Sequence, residues 1–364
     1  MADRSTERRW LEQLTAIPTA PGREGRVMRW VRAWAGRRSG DLRVHADPWG
    51  NLLITQKGRR RRPPVVAVAH TDHPGFVVRE ANGREVAVEF RGGVRPEYFQ
   101  DAGVELFDRD DSRYRGRLEE FEPGASAGVV SLSRRSRLEP GDIGRWTLGR
   151  GRGGVGERFA LAPACDDLAG VAAALSALDR SRGDPARRHL AVLLTRAEEV
   201  GFLGAIGAAR QGTLPPESRV LSIECSRAFP ESPLGGGPVV RVGDASSVFD
   251  SALTNRISQA ASASGLRHQR KLMAGGSCEA TAFIAYGYEA SGLCLPLGNY
   301  HNMGNLDQVE EGKGMATALP EVVSIDDFHG LVDLLGLATD AADGQWEMAE
   351  RLDRRFQEQR HILE

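Results

Sequence analysis

The stretch that decides the fold is Val65-Val66-Ala67-Val68-Ala69-His70-Thr71-Asp72. Its apolar, β-branched first part predicts a buried strand of a mostly parallel sheet, and the polar residues follow where that strand ends. Three more apolar runs lead to polar residues in the same way: Leu190–Leu194 to Glu198-Glu199, Val220–Ile223 to Glu224, and Leu293–Leu295 to the loop of His301. Since ligands of such sheets bind beyond the carboxyl ends of the strands, we expect these polar residues to meet at one edge.

This predicted edge consists of residue types that bind divalent metals. The candidates are His70, Asp166, Glu198, Glu199, Glu224 and His301, with Asp72 close behind the first of them. Asp166-Asp167 opens an alanine-rich helix, so one of the two carboxylates can instead serve as a helix cap. The sequence therefore predicts an α/β fold, with a mixed, mostly parallel sheet flanked by helices, and a metal-dependent hydrolase.

The composition is that of an ordinary globular protein long enough for two domains. Of the 364 residues, 41% are hydrophobic and 27% are charged, and the net charge of −1 gives no general attraction to nucleic acid or to a membrane. The polar N-terminus, Met1–Arg9, has no apolar signal core, and no run approaches the ~18 apolar residues of a membrane span. We expect a cytoplasmic protein with no nucleic-acid or membrane partner.

The patterns along the chain divide it into a catalytic domain, residues 1–74 and 160–364, and an inserted domain, residues 75–159. The insert alternates short strand patterns with turns, so it is predicted to be a small all-β domain. It ends in the glycine-rich run Gly149–Gly156, which is more typical of a mobile linker than of an RGG nucleic-acid segment. Helices are expected at Thr6–Ala35, interrupted at Ile17–Gly22, at Leu168–Leu178, at Phe249–Ala263 and at Ile325–Gln359.

A two-metal hydrolytic site needs a shared carboxylate, further ligands on each ion and a free base for the attacking water. The Glu198-Glu199 pair suits this division, because consecutive side chains of an extended segment point in opposite directions. Residues two apart lie on one face, so Asp72 can orient the His70 imidazole. In the alternative interpretation, the two glutamates are surface residues at a strand exit and the histidine is structural.

Other hydrolytic motifs are weak in this sequence. It contains no H-E-x-x-H helix, which excludes the single-zinc proteases of that class. Ser277, within Gly275-Gly276-Ser277-Cys278-Glu279, does not stand in a G-x-S-x-G turn, and Cys278 has no obvious base near it. The other histidines, His73 among them, are interpreted as structural.

Three motifs together resemble those of the glutamyl (TET-type, tetrahedral) aminopeptidases, within the zinc carboxypeptidase and aminoacylase superfamily. They are Ala69–Phe76, Asp166–Gly170 and Glu198–Ala205. The resemblance implies a zinc aminopeptidase fold of the phosphorylase/hydrolase type, and an insert that is PDZ-like and carries assembly contacts. The insert lies between His70 and Asp166, whereas carboxypeptidase- and aminoacylase-type relatives carry theirs after the third acidic ligand, so its place favours the TET branch.

The resemblance also implies the roles of the site residues and two divalent ions per chain, zinc or cobalt. The implied ligands are His70 and Glu224 on one ion, Glu199 and His301 on the other, and Asp166 on both. Glu198 would be the general base, Asp72 would stand behind the first histidine, and a cis peptide would follow Asp166. Four features depart from the family: Glu224 stands where aspartate is more usual, Gly298–Gly304 lacks the usual continuation after its histidine, Leu168 replaces an arginine, and Cys278-Glu279 replaces the usual small or acidic pattern near the substrate pocket.

These observations predict an aminopeptidase that removes N-terminal residues from short peptides and forms homo-oligomers through the insert. One alternative, left open by the unusual segment around His301, is an amidohydrolase or deacylase acting on small N-acyl amino acids, like an aminoacylase or a carboxypeptidase. A second alternative is a metal-free scaffold that binds peptides, against which the complete set of candidate ligands argues. The preferred side chain does not follow from the sequence.

Overall fold

The computed structural model describes residues 1–148, 154–344 and 348–363, and the structural statements below refer to these ranges. The helices are α1 (Arg4–Thr15), α2 (Gly25–Gly36), α3 (Leu168–Ser181), α4 (Leu203–Gln211), α5 (Ser251–Ala263), α6 (Glu279–Ala285), α7 (Leu306–Glu310), α8 (Ile325–Ala341) and α9 (Met348–Gln359). Short 3-10 turns lie at Pro96–Phe99, Tyr300–Asn302 and Arg360–Ile362.

The strands fall into a central sheet, a barrel and short peripheral pairs. In chain order they are β1 (Leu42–Ala46), β2 (Leu52–Gln56), β3 (Val65–His70), β4 (Gly75–Asn82), β5 (Glu85–Arg91), β6 (Gly103–Phe107), β7 (Arg113–Glu122), β8 (Ala127–Leu132), β9 (Ile143–Trp146), β10 (Gly154–Val155), β11 (Phe159–Ala162), β12 (Leu190–Thr195), β13 (Arg219–Arg227), β14 (Val239–Asp244), β15 (Gln269–Met273), β16 (Glu289–Leu297), β17 (Met303–Gly304), β18 (Thr317–Ala318) and β19 (Glu321–Ser324).

The central sheet has eight strands in the order β1-β2-β12-β3-β13-β16-β14-β15. Its middle is parallel, because β3 pairs in parallel with β12 and β13, and β13 pairs in parallel with β16. The sheet is mixed, because β2 pairs with β12 in antiparallel orientation and β14 pairs with β16 in the same way. The fold class predicted from the sequence is confirmed.

Alternation along β3 explains how helices cover both faces of the sheet. Val65, Ala67 and Ala69 belong to the hydrophobic core that contains residues of α1, α3 and α8. Val66 and Val68 belong to a second core, which contains residues of α4 and α6. All six residues of β3 are buried, as expected for a strand of a sheet that is covered on both sides.

Strands β4 to β9 close into a barrel in the order β4-β5-β8-β7-β6-β9. Aromatic rings fill its core, with the rings of Phe76 and Trp146 4.8 Å apart and those of Phe90 and Phe99 4.9 Å apart, both edge to face. The barrel lies inside the predicted insert, whose exact boundaries stay a prediction. Of the predicted linker, residues 149–153 lie outside the described part of the chain, and Gly154–Val155 pairs with β11 as the short strand β10.

The helices that the sequence patterns predicted are present, whereas α4, α6 and α7 were not among the expected helices. Two N-terminal helices are present, and Asp3 caps α1 by accepting a hydrogen bond from the backbone N–H of Thr6. The C-terminal stretch expected to be helical, Ile325–Gln359, contains α8, which ends at Ala341, and α9, which begins at Met348. Gly344 follows α8, and its backbone N–H donates to the carbonyl of Ala341 at 3.0 Å. Within the described ranges, no helix is long and apolar enough to cross a membrane.

Candidate metal centre

The structure brings the candidate ligands together at one edge of the central sheet. His70 ends β3 and lies in register with Thr195, the last residue of β12, from which the chain continues to the two glutamates. Glu224 lies inside β13, which continues to Arg227, so the strand is longer than the apolar run predicted. Asp166 precedes the start of α3, and His301 lies in the 3-10 turn after β16.

Asp166 lies between the two histidines. Its Oδ1 is 3.4 Å from Nε2 of His70, and its Oδ2 is 3.5 Å from Nε2 of His301. The same nitrogen of His301 is 3.3 Å from Oε1 of Glu199, and that of His70 is 3.9 Å from Oε2 of Glu224. The side chains therefore fall into two groups that share one carboxylate, as the family resemblance implies, while their roles as ligands stay a prediction.

Glu198 stands beside the first of these groups. Its Oε2 is 3.9 Å from Nε2 of His70, and its side chain is almost completely buried. Asp72 holds the chain at this point, because its two oxygens accept the backbone N–H groups of Glu198 at 3.0 Å and Glu199 at 3.1 Å. Its distance to Nδ1 of His70 is 3.5 Å, which is long for a hydrogen bond, so its firmer contacts are with the loop of the glutamates.

The His301 imidazole is fixed from the barrel side of the site. Its Nδ1 is 2.6 Å from the carbonyl oxygen of Gly93, which follows β5, and the ring of Tyr300 stacks on it at 3.7 Å. A carbonyl on one ring nitrogen leaves the other nitrogen, Nε2, free to bind a metal. The barrel therefore contributes directly to the orientation of a candidate ligand.

The donor atoms of the site fit divalent cations. Single oxygen atoms of Asp166, Glu199 and Glu224 are buried without a hydrogen-bond partner among the described residues. His70, Asp166 and Glu199 each place a ligand atom within 4.8 Å of the others. Buried polar atoms of folded proteins normally have partners, so orphaned carboxylate oxygens beside imidazole nitrogens are the arrangement that a bound cation satisfies. This mixture of oxygen and nitrogen donors suits zinc and related ions.

The pKa values of several of these groups are shifted toward the protonated form. Burial opposes the charged form of His301, but the Glu199 carboxylate and a hydrogen bond to Asp166 raise its pKa well above the ordinary value. Burial opposes the charged form of His70 as well, but the carboxylates of Glu198, Asp166 and Asp72 together raise its pKa well above the ordinary value. Burial raises the pKa of Glu224 to about 8. Without cations the cluster retains protons, which a divalent ion displaces when it binds.

Asp167 occupies the residue before α3 but does not cap it. No hydrogen bond joins its side chain to the first turn of the helix, and its Oδ1 accepts a bond from the Cys225 thiol at 3.4 Å. The capping alternative for this residue is therefore not supported. The peptide bond between Asp166 and Asp167 is cis, as the family resemblance implies.

Glu321 is a site residue that the sequence did not reveal. Its Oε2 accepts the backbone N–H groups of Cys165 at 2.7 Å and Asp166 at 3.0 Å, and its Oε1 accepts that of His301 at 2.8 Å. One buried carboxylate thus ties together the two segments that carry the shared aspartate and the second histidine. Its signal in the sequence is only that of an acidic residue starting a short strand.

His73 also contacts the site, although it was interpreted only as structural. Its Nδ1 is 2.7 Å from the carbonyl oxygen of Asp166, and its Nε2 is 3.2 Å from Oδ1 of Asn302. These contacts fix the backbone of Asp166 and leave no free ring nitrogen. His73 therefore supports a candidate ligand without being one itself.

A cavity of about 800 Å³ opens beside the candidate ligands. The acidic side of its wall is Asp166, Glu198, Glu199 and Glu224, with His301. The rest of the lining includes apolar and basic residues: Phe202, Phe229, Leu272, Met273, Met303 and Leu306 with Arg95, Arg227, Arg241 and Lys271. The cavity lining therefore combines candidate metal ligands with basic residues.

Arg241 is the most unusual of the basic residues. Three others pair with carboxylates: Arg95 with Glu97, Arg227 with Asp307 and Glu310, and Lys271 with Glu231. Arg241 is 3% exposed, and within the described ranges its guanidinium has no hydrogen-bond or ion-pair partner. Room for its side chain comes from Gly292 on β16, where a Cβ would meet Phe249 at 2.7 Å and Arg241 at 3.2 Å. Burial opposes the charged form of this guanidinium, but nearby negative charges, among them those of Glu224 and Asp244, raise its pKa.

Comparison with known families identifies the relationship. Residues 140–313 match the model of the M42 glutamyl aminopeptidase family, a range that includes Asp166, Glu198, Glu199, Glu224 and His301. The chain is a relative of the M42 glutamyl aminopeptidases. The resemblance predicted from the three motifs is thereby confirmed. A comparison with curated proteins gives no match.

Solved structures similar to this M42 relative share its fold over nearly the whole chain. A TET aminopeptidase from a marine sediment Thaumarchaeota archaeon has a TM-score of 0.75 at 18% identity and covers 96% of this chain and 99% of its own. An aminopeptidase from the archaeon Desulfurococcus kamchatkensis has a TM-score of 0.74 at 20% sequence identity. The match covers 94% of this chain and 96% of that aminopeptidase. The TET1 peptidase of Pyrococcus horikoshii has a TM-score of 0.72 at 20% sequence identity, and the match covers 92% of this chain and 99% of that peptidase. That peptidase is described as assembling into a tetrahedron or a large octahedral shell.

Proposed function

We propose that this protein is a metal-dependent aminopeptidase that hydrolyses the N-terminal peptide bond of short peptides. The observation that carries the proposal is one cavity wall on which Asp166 lies between two groups of metal-binding side chains, with Glu198 beside them and outside the implied ligand set. The match to the M42 glutamyl aminopeptidases supports the choice of reaction.

The proposed ligands are His70 and Glu224 on one ion, Glu199 and His301 on the other, and Asp166 on both. Two divalent ions held there, zinc or cobalt, would polarise the scissile carbonyl and lower the pKa of the attacking water. Glu198 takes the proton of that water and delivers it to the leaving amine. Burial raises the pKa of Glu198 well above its ordinary value, which suits a group that must both accept and release a proton near neutrality.

We further propose that the preferred N-terminal residue is acidic. Arg241 is buried in the lining of the same cavity as the candidate ligands, and Lys271 lines that cavity with its Nζ 4.0 Å from the centre of the Phe229 ring. Cations bound to the ligands would add positive charge to a cavity that already holds an unpaired guanidinium. A substrate carboxylate offsets that charge and satisfies the guanidinium with charge-assisted hydrogen bonds.

The test is a set of amino-acid p-nitroanilides assayed with zinc or cobalt, together with N-acetyl amino acids. We expect turnover of the anilides and a kcat/KM for glutamate at least 10-fold above that for glutamine, which has the same shape without the charge. Equal rates for the two would refute the acidic preference but not the aminopeptidase. Hydrolysis of N-acetyl amino acids with no turnover of anilides would overturn the aminopeptidase and restore the deacylase.

We also propose that the protein forms homo-oligomers, with the barrel of β4 to β9 carrying assembly contacts. The support is the fold shared with the TET1 peptidase of Pyrococcus horikoshii, which assembles into closed shells. Light scattering coupled to gel filtration gives the mass directly. A mass equal to that of one chain at micromolar concentration would refute the proposal.

A further inference from the structure

The loop between β12 and α4 carries both Glu198 and Glu199, and carboxylates from elsewhere in the chain bind its backbone. Asp72 accepts the N–H groups of the two glutamates. The preceding N–H, that of Ala197, donates to Oε1 of Glu24 at 3.0 Å. Three consecutive N–H groups are therefore held by two carboxylates, and only Asp72 belongs to the site described above.

Glu24 lies immediately before α2 and is completely buried. Its Oε1 also accepts a hydrogen bond from the backbone N–H of Gly22 at 2.6 Å, and its Oε2 accepts one from Nε of Arg196 at 2.7 Å. Arg196 directly precedes Ala197, and its other nitrogens donate to the carbonyls of Trp49 at 2.9 Å and Gly22 at 3.1 Å. The Glu24–Arg196 pair thus joins the loop of the proposed base to the N-terminal segment through both side chain and backbone.

The loop has a backbone conformation that needs such support. Ala197 has φ of +53°, in the left-handed region that a residue with a Cβ disfavours. A residue of this kind persists where its surroundings hold it in several ways at once. Here the Ala197 N–H is bound by Glu24, and its carbonyl accepts the N–H of Leu203 at 3.1 Å. The direction in which the next residue, Glu198, leaves the backbone is set by this conformation.

We propose that Glu24 is a positioning residue that aims the Glu198 carboxylate into the cavity. The inference rests on the proposed function, in which Glu198 moves the proton. Glu24 touches neither substrate nor metal and acts only through Ala197 and Arg196. Because a misplacement of about 1 Å in a reacting group can lower a rate ~100-fold, loss of this contact should reduce kcat rather than substrate binding.

The chain offers a matched control, the pair formed by Glu7 and Arg180. Glu7 is also completely buried, and its Oε2 accepts a hydrogen bond from Nη2 of Arg180 at 2.8 Å. The arginines of the two pairs are equally accessible, with 31% of the Arg196 side chain and 29% of the Arg180 side chain exposed. Arg180 lies near the end of α3 remote from Asp166, roughly 20 Å along the helix axis at ~1.5 Å per residue.

The experiment compares Glu24→Gln with Glu7→Gln in the full chain saturated with zinc. Amide hydrogen exchange is measured first, because it does not require the protein to hydrolyse a substrate. We expect amides in residues 196–202 to exchange at least 10-fold faster in Glu24→Gln and to be unchanged in Glu7→Gln. Equal exchange of this loop in both variants overturns the proposal, even if no peptide is hydrolysed.

The kinetic readout follows for the same proteins. We expect kcat to fall about 10- to 100-fold in Glu24→Gln with KM within about 2-fold, and both to stay near the wild-type values in Glu7→Gln. Loss of kcat in both variants would show a general structural effect and overturn the positioning role. A wild-type protein that cleaves no peptide would refute the proposed function alone, since exchange still decides whether Glu24 holds the loop.

A second variant covers the case in which Glu24→Gln does not fold. Arg196→Lys keeps the positive charge at a partly exposed position but cannot bind Glu24, Trp49 and Gly22 together. We expect faster exchange in residues 196–202 and a 3- to 10-fold lower kcat, smaller than for Glu24→Gln because the Ala197 N–H keeps its acceptor. Wild-type exchange and kcat in Arg196→Lys would overturn the proposed pair.

Discussion

The barrel and the metal-binding edge of the sheet are both buried, but their interiors are of opposite kinds. Phe76, Phe90 and Trp146 fill the barrel with apolar rings that pack against one another and need no partner from outside the chain. At the sheet edge, Asp166 and Glu224 bury carboxylate oxygens that have no hydrogen-bond partner among the described residues. The barrel core is therefore satisfied by contacts within the chain, whereas the edge holds carboxylate oxygens that a bound cation would satisfy. The difference separates residues that stabilise the fold from residues kept for chemistry.

The largest expected effect is on the edge and leaves the fold intact. Glu198→Gln keeps the size of the side chain but removes its ability to take a proton. We expect kcat to fall by a factor on the order of 10⁴, with zinc content and melting temperature unchanged. Steady-state kinetics and metal analysis on the same sample measure both. Full activity in this variant would remove Glu198 as the base and leave the edge as a binding site only.

Removal of metal should weaken the edge and leave the barrel unaffected. At zinc concentrations about 1,000-fold above the dissociation constant, zinc that binds the folded state and not the unfolded state raises the free energy of unfolding by ~4 kcal/mol. We therefore expect the melting temperature to rise by about 6–10 °C from the chelated to the loaded protein. Hydrogen exchange should slow in residues 166–170, 196–202 and 298–304. If residues 75–146 responded as strongly, the contrast between the two regions would be wrong.

A substitution in the barrel should have the reverse pattern. Leu132, on β8, is buried in the barrel core. Leu132→Ala leaves a cavity and should lower the free energy of unfolding by about 3 kcal/mol. Because the side chain is remote from the ligands, kcat of the folded protein should stay within about 2-fold. Denaturant titration and kinetics at low temperature test this together. A large loss of kcat at full folding would show that barrel packing controls the site.

The smallest expected effect concerns substrate choice at the edge. Arg241→Met keeps the length and apolar stem of the side chain and removes its charge. Loss of a charge-assisted hydrogen bond should lower kcat/KM for a glutamate anilide about 10- to 100-fold. The value for glutamine anilide should change little, so the ratio of the two substrates is its own control. An unchanged ratio would show that this guanidinium binds some other anion or none.

Much of the fold and the site is predictable from local patterns. Apolar runs ending in His70, Glu198-Glu199 and Glu224 indicate strands whose ends carry polar residues, and a sheet places such ends at one edge. The strand order and the distances among the side chains are tertiary facts. Glu321 and Glu24 had no local signal, because what distinguishes them is the set of backbone N–H groups they accept from segments remote in sequence. The patterns over Ile325–Gln359 predicted helix there, but not where α8 ends and α9 begins.

The sequence by itself determined which residue types are available: candidate metal ligands at the ends of apolar runs, two adjacent glutamates, and an all-β pattern that interrupts an α/β one. Each of these depends on residue type and on short-range periodicity, which the chain carries locally. Tertiary structure alone decided how the candidates are used. It placed Asp166 between two histidines, turned the Gly93 carbonyl of the barrel side toward His301, and left Arg241 unpaired on the cavity wall. Those outcomes arise from contacts between segments far apart in sequence, and no local pattern encodes them.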